Sequence, residues 1–496
     1  MRLIIENKSG YLNDYYFQTL CLLYYPGEKF PKNDSGEINS AFFYLDKKEN
    51  ENGIHWLAKV KLSAGEKSSE AFFTTENYKL VIECGDEFFA TLALGKAFLQ
   101  AGRELFGFSL PWGYITGLRP VKRAKNYLEK GYDDKTVKRM FTDDYDVAGN
   151  KAELAISTAR LEMKMLEKIG HNVCGLYISI PFCPTRCEYC SFVSYSNAKL
   201  FKLIPDYIEK LKLDLLRTSK IIKELDFTLG TIYIGGGTPS ILNCEQLDGL
   251  LGEIEKDFDL SGLLEYSFEA GRPDTISVDN LRIIKSHGVG RISINPQTTN
   301  DDVLKRIGRC HSVSEFLAAT ESARKIGFDC INTDLIAGLP GDTEEGFEKS
   351  LTDVISLGFE NITVHSLSIK NASELRFDPD KLYDPEGETA KRCVAYAYDK
   401  LKISGYNSYY LYRQKNTVGN AENTGYAKKG YENLYNVIMM EEYSTVFACG
   451  AGSITKIVSP DRNHIERIAF PKYPFEYLSS KSDIGEEKIR KFYSKI

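Results

Sequence analysis

The 496-residue sequence has no excess of positive charge, no long apolar run, no internal repeat and no low-complexity tract. Its 63 Lys and Arg stand against 69 Asp and Glu, a formal net charge of −6. That balance excludes the global positive field that carries non-specific nucleic-acid binding, so no nucleic-acid partner is expected and any anion site must be local. No span is long enough to cross a bilayer, so no membrane partner is expected either. The opening MRLIIENKSG meets acid and glycine too soon to build the apolar region of a signal peptide, and the expected compartment is the cytoplasm. Eleven cysteines, an odd number spread thinly over a long chain, do not form a disulfide framework. What remains is ordinary globular usage, 43% hydrophobic and 27% charged. At about 150 residues per domain the length calls for two to four structural units.

Residues 1–170 read as an α+β unit of unknown role. MRLIIE, SAFFYLD, IHWLAKVKLS and YKLVIECG have the look of strands; Glu87 to Gly102 and Asn150 to Ile169 carry helical spacing. Between them, PWGYITGLRPVKRAKNYLEKG becomes a basic helix, with Pro120 where a first helical turn tolerates it. Arg119, Lys122, Arg123 and Lys125 on that helix are a solvated face or a contact for an anionic ligand or another domain. From residue 171 to 370 the rhythm changes to short strands, LYISI, TIYIGG, LEYSFEA, GRISINP, FDCINTDLIAGLP and NITVHSLSI, alternating with helices such as Leu200 to Ser219 and Val313 to Ile326. Such alternation implies parallel pairing and an α/β barrel or part-barrel whose chemistry sits in the loops after the strands. Residues 371–496 form a C-terminal α/β extension, with a helix near Glu386 to Ser404 and the aromatic stretch YNSYYLYRQKN, expected to close the substrate cleft.

Three of the cysteines are clustered. Cys183, Cys187 and Cys190 stand in YISIPFCPTRCEYCSF with C-x3-C-x2-C spacing, directly after a strand. Three thiolates on a four-iron cube leave one iron open, as a catalytic centre needs. Zinc is the competing reading, yet structural zinc closes with four ligands, and Cys174, Cys244 and His287 stand at no finger-like spacing. After TIYI comes Gly235-Gly236-Gly237-Thr238-Pro239, a turn whose missing Cβ atoms let a ligand approach the backbone. Glu269, Gln297, Arg309 and Asp334 fall at or near strand ends; each also has a salt-bridge or capping reading, but a buried acid such as Asp334 must find partners or become neutral.

The cysteine run resembles the signature of the radical S-adenosylmethionine (SAM) superfamily. The flanking LYISIPFC and CEYCSF resemble its oxygen-independent coproporphyrinogen III oxidase-like family, and GLRPVK and FEAGRPDT are most similar to the HemZ type within that family. The resemblance implies a partial (β/α)6 TIM-like barrel and a [4Fe–4S] cluster on Cys183, Cys187 and Cys190. It implies SAM contacts from Tyr177, Tyr189, Gly236, Gly237, Thr238, Glu269, Gln297, Arg309, Asp334 and Ser368. In the family the cluster passes an electron into the sulfonium, the carbon–sulfur bond breaks and a 5′-deoxyadenosyl radical forms. The implied reaction converts propionates of coproporphyrinogen III to vinyls, giving protoporphyrinogen IX in haem biosynthesis, with a low-potential donor such as flavodoxin or ferredoxin as partner. Members of the oxidase group bind two SAM molecules, one on the cluster and one beside it; relatives carry a further cysteine after the third ligand, where this chain has Ser191 and Phe192, so one SAM is expected here and the second is left open. Arg272, Arg413 and Lys415 are the expected anchors for substrate carboxylates. Haem chaperones share the same motifs and tend to show a His-Asn pair followed by Tyr-Trp; at the comparable place this chain has NLYNVIMMEEY. The alternatives are therefore a haem-binding carrier or a radical enzyme for another tetrapyrrole.

Overall fold

Two units divide the chain, Met1–Arg160 and Leu161–Ile496. A computed structural model describes every residue except 32–37, 52, 83, 191–194, 197, 370–374, 376–386, 415–416, 481–484 and 495–496.

In the first unit, β1 (Arg2–Asn7), β2 (Asn39–Asn50), β3 (Gly53–Ala64) and β4 (Lys67–Thr74) form one sheet in chain order. β1 runs parallel to β2, and β2, β3 and β4 are joined antiparallel. Residues at every second position go inward, as a pleated strand requires: Ala41, Phe43 and Leu45 from β2, Trp56, Ala58, Val60 and Leu62 from β3. Helix Asp86–Phe106 covers that face, and its Phe98 stacks on Phe43 with ring centroids 6.2 Å apart. Burying each such side chain stabilises the fold by about 1.5–3 kcal/mol. The fourth strand is not YKLVIECG. KSSEAFFT takes that place because Gly65 and Glu66 close a tight hairpin that pairs Ala64 with Lys67. Residues 78–82 are irregular, and their backbone finds side-chain partners instead, Val81 N–H donating to Asp144 Oδ2 at 3.3 Å. The basic helix spans Pro120–Glu129. Its Arg123 is not a solvated charge: the guanidinium lies 4.7 Å over the Tyr145 ring and donates to the Tyr145 hydroxyl.

All six strands expected of the second unit form, as β5 (Val173–Ile180), β6 (Thr228–Gly236), β7 (Glu265–Glu269), β8 (Arg291–Ser293), β9 (Cys330–Ala337) and β10 (Asn361–Ser366). They pair in parallel, each with its successor, which is the (β/α)6 pattern. The connecting helices are set by local signals: Cys244–Asp257 and Val313–Ile326 each begin with a capping box, Asn243/Gln246 and Ser312/Glu315. Both edges are extended rather than joined. β11 (Asn407–Arg413) and β12 (Glu422–Ala427) continue antiparallel from β10. On the other side β13 (Val446–Cys449) pairs parallel with β5, and β14 (Ile454–Val458) and β15 (Ile465–Ala469) follow antiparallel, making eleven strands.

The segment NLYNVIMMEEY supplies helix Leu434–Glu441, and it packs into this sheet. Asn433 caps its first turn, and Glu265 accepts from the backbone N–H of Leu434 at 2.8 Å and of Tyr435 at 3.1 Å. Tyr435 stacks on Tyr233 of β6 with centroids 4.5 Å apart, and both stack with Tyr177 of β5.

Candidate active site

The chain leaves each of the six parallel strands at the same end of the sheet, and the residues there line a cavity of about 230 Å3. The cysteine loop follows β5. Its backbone is stitched on two sides: Cys183 N–H donates to Tyr195 O at 3.1 Å, and Glu188 N–H to Ile307 O at 3.2 Å. The glycine turn after β6 closes over it, with Gly237 N–H on Ile180 O at 2.8 Å and Thr238 N–H on Phe182 O at 2.7 Å. A Cβ at position 237 would stand 2.6 Å from the Phe182 carbonyl oxygen, so only glycine lets the two loops meet. The turn that reads as a cofactor clasp is thus also what seats the cysteines. Thr238 then donates its hydroxyl to Cys183 Sγ at 3.3 Å. Cys183, Cys187 and Cys190 all line the cavity, together with Tyr189, Gly236, Gly237 and Thr238.

Farther round the rim are the polar groups of β7 to β10. Glu269 ends β7 and accepts from the Tyr233 hydroxyl. Burial pushes its carboxyl up to about 7, and the neighbouring Asp334 carboxylate adds to the shift. Gln297, after β8, holds a left-handed backbone with φ 72°, a strained state for a residue with a Cβ. It is kept there by the β9 ladder, since Gln297 N–H donates to Asp334 O at 3.0 Å and Ile336 N–H to Gln297 O at 3.0 Å. Asp334, expected to be buried, is only half-buried because it opens onto the cavity, and it has partners in Asn332 Nδ2 at 2.9 Å and His365 Nε2 at 3.7 Å. Arg309 grips the Tyr189 hydroxyl through Nη2 at 3.0 Å and the Asn295 carbonyl through Nη1 at 3.3 Å. Ser368 follows β10 on the same wall.

Three expected residues stand differently. Tyr177 is outside the cavity lining, because its ring is taken up in the tyrosine stack with Tyr233 and Tyr435. Arg413 is also outside it; the side chain is 7% exposed opposite Glu422 in the β11–β12 ladder, and burial pulls its pKa down to about 10. Arg272 does line the cavity but spends its donors on Asp274 and Thr185. Lys415 lies outside the described residues. Conversely, Asn295, His365, Tyr412 and Asn423 line the cavity and were not singled out in the sequence. His365 closes β10 in NITVHSLSI, and the strand-end position that marks Asp334 could have marked it too. Tyr412 and Asn423 come from antiparallel strands, where no such signal exists.

Among the described residues no three Cys, His, Asp or Glu side chains gather as a single metal ion would require. The three thiols instead share one cavity wall, the disposition a polynuclear cluster takes because each thiolate binds a different iron. The donor set therefore fits a [4Fe–4S] cluster with an open iron. Two carboxylates face the same space, Glu269 and Asp334, and suit a ligand carrying a sulfonium and an ammonium. The buried Asn295 Oδ1 has no hydrogen-bond partner among the described residues and offers one more acceptor.

A family model described as the radical SAM superfamily matches residues 177–354. The chain is 36% identical over 388 residues to the oxygen-independent coproporphyrinogen-III oxidase-like protein HemZ of Bacillus subtilis, covering 77% of each chain. It is 33% identical over 324 residues to the haem chaperone HemW of the same species, 63% of this chain and 81% of the relative. A solved structure, the coproporphyrinogen III oxidase HemN of Escherichia coli, described as a radical SAM enzyme, has the same fold with TM-score 0.51 at 21% identity, over 66% of this chain and 72% of that one.

Proposed function

Since the chain belongs to the radical SAM superfamily and, within it, to the oxygen-independent coproporphyrinogen III oxidase-like family, we propose that it oxidatively decarboxylates propionates of coproporphyrinogen III to vinyls, giving protoporphyrinogen IX without oxygen. The observation that carries this reading is the meeting of three thiols and two carboxylates on one cavity. When bound, the cluster and SAM would supply the one-electron chemistry for hydrogen-atom abstraction from a propionate side chain. Cys183, Cys187 and Cys190 hold the cluster. Glu269 and Asp334 would pair with the positive charges of SAM, Gln297 and the Gly236–Thr238 turn line the same cavity and would add polar contacts, and Tyr189 is kept in place by Arg309. Tyr412, Gln414 and Asn423 bring residues 371–496 onto the cavity wall, where they close the cleft over a tetrapyrrole. The reaction needs a low-potential donor such as flavodoxin or ferredoxin, and the reading assigns it to the cytoplasm. Among the described residues no helix is long and apolar enough to cross a membrane.

Haem carriage is the second reading, favoured by the 33% identity to a protein named as a haem chaperone. One anaerobic assay with reconstituted protein, SAM, a strong reductant and coproporphyrinogen III separates the two. A vinyl-bearing product supports the decarboxylase. Deoxyadenosine without that product points to another substrate, and stoichiometric haem binding without turnover points to a carrier.

A further inference from the structure

We infer that Arg272 is a positioning residue for the cluster: it latches the cysteine loop to the end of β7 and places a fixed positive charge beside Cys187. The inference rests on the reading that the three cysteines hold the cluster.

Arg272 is 4% exposed, and moving a guanidinium that far from water is costly unless its donors are matched. They are. Nε and Nη2 form a bidentate pair with Asp274, at 3.1 Å to Oδ1 and 3.0 Å to Oδ2. Nη1 turns the other way and meets the cysteine loop three times: Thr185 Oγ1 at 2.7 Å, Thr185 O at 3.1 Å and Cys187 Sγ at 3.9 Å. Thr185 lies midway between the first and second cysteines, so one side chain fixes both the backbone and the sulfur of this stretch. An ordinary surface pair two residues apart would need no such burial and would not cross to another loop. A substrate anchor would keep its fork free, whereas this one is filled from both edges.

The order of charges matters. Asp274 stands behind the guanidinium and the thiol in front of it, so the positive end of the pair is the one presented to Cys187. Hydrogen bonds and positive charge at a cluster sulfur favour the reduced, more negative state and raise the reduction potential. Thr238 does the same with a neutral hydroxyl at Cys183. Outer-shell partners of this kind typically contribute 10–100-fold to metal retention.

The test uses the full chain, reconstituted anaerobically, as wild type, Arg272→Gln, Arg272→Lys and Asp274→Asn. Midpoint potential is read by electron paramagnetic resonance during reductive titration, and iron loss is followed against a chelator. Arg272→Gln should shift the midpoint to more negative values and lose iron about 10–100-fold faster. Asp274→Asn, which leaves the cation without its counter-charge, should shift the midpoint the opposite way. Arg272→Lys should restore the potential more than the retention, since lysine carries the charge without the fork. Opposite shifts from the two halves of one ion pair are something a purely structural latch does not produce. Should Arg272→Gln fail to fold, the Lys and Asn variants still carry the sign test. A normal wild-type cluster with unchanged or same-direction shifts in the variants overturns the inference alone. A wild-type chain that assembles no SAM-responsive cluster overturns the underlying reading and the inference with it.

Discussion

The two units differ in what their buried charges hold. In residues 1–160 exposed ion pairs, such as Lys59–Glu70 with side chains 43% and 48% exposed and Arg160–Asp134 with 47% and 59%, stand beside partly buried ones, such as Lys96–Asp146 with 13% and 20%. The core beneath β2 and β3 is Phe17, Phe43, Trp56 and Phe98. In residues 161–496, Arg272–Asp274 is 5% and 16% exposed and Arg291–Glu265 10% and 9%. Surface pairs contribute little, and buried pairs cost desolvation that their attraction only partly returns. The second unit buries charge where it positions something: Glu265 holds the helix that carries Tyr435, and Arg272 holds the cysteine loop.

That contrast can be broken by experiment. Cys187→Ala should have the largest effect, abolishing deoxyadenosine formation and sharply lowering bound iron while leaving the thermal transition of residues 1–160 in place; a variant that still cleaves SAM removes the cysteine assignment. Phe98→Ala in the first unit should cost about 3–5 kcal/mol in denaturant unfolding, with SAM affinity of the reconstituted protein unchanged. If SAM affinity falls as well, the division between a stabilising and a functional unit fails.

The third prediction concerns pH. Burial pushes Glu269 up to about 7, so below that value the empty site holds it neutral. A cationic ligand favours the ionised form, lowers its pKa and releases a proton on binding. SAM affinity should fall up to about tenfold per pH unit below 7, and calorimetry in buffers of different ionisation enthalpy should count the released proton. Glu269→Gln should flatten that profile. The smallest effect sharpens the other side: Lys59→Ala, removing a 3.0 Å cross-strand pair, should change stability by less than about 1 kcal/mol. A larger loss would mean that surface charge matters to the first unit more than its exposure implies.

Particular elements show how far the sequence could be read. The β5 to β9 strands announced themselves as short apolar runs ending in Gly, Pro or acid, β10 as an apolar run alone, and the C-x3-C-x2-C spacing needed no structure to suggest three ligands and an open metal position. YKLVIECG failed because its apolar residues looked like a strand while the hairpin at Gly65–Glu66 had already supplied one. The surroundings of Arg272 and Arg413, the expected anchors, were hidden for a different reason. Sequence gives the charge of an arginine but not its surroundings: only folding brings Asp274 and Thr185 to the donors of Arg272 and buries Arg413 opposite Glu422.

Local chemistry was written in the chain: the thiol spacing, the glycines and the strand rhythm act over a few residues, and their meaning does not depend on distant partners. Only tertiary structure decided that Tyr177 stacks inside the sheet, that His365 faces Asp334 and that Arg272 reaches Cys187. Each joins side chains dozens to hundreds of residues apart, and burial and pairing energies arise only when the folded backbone brings such groups together.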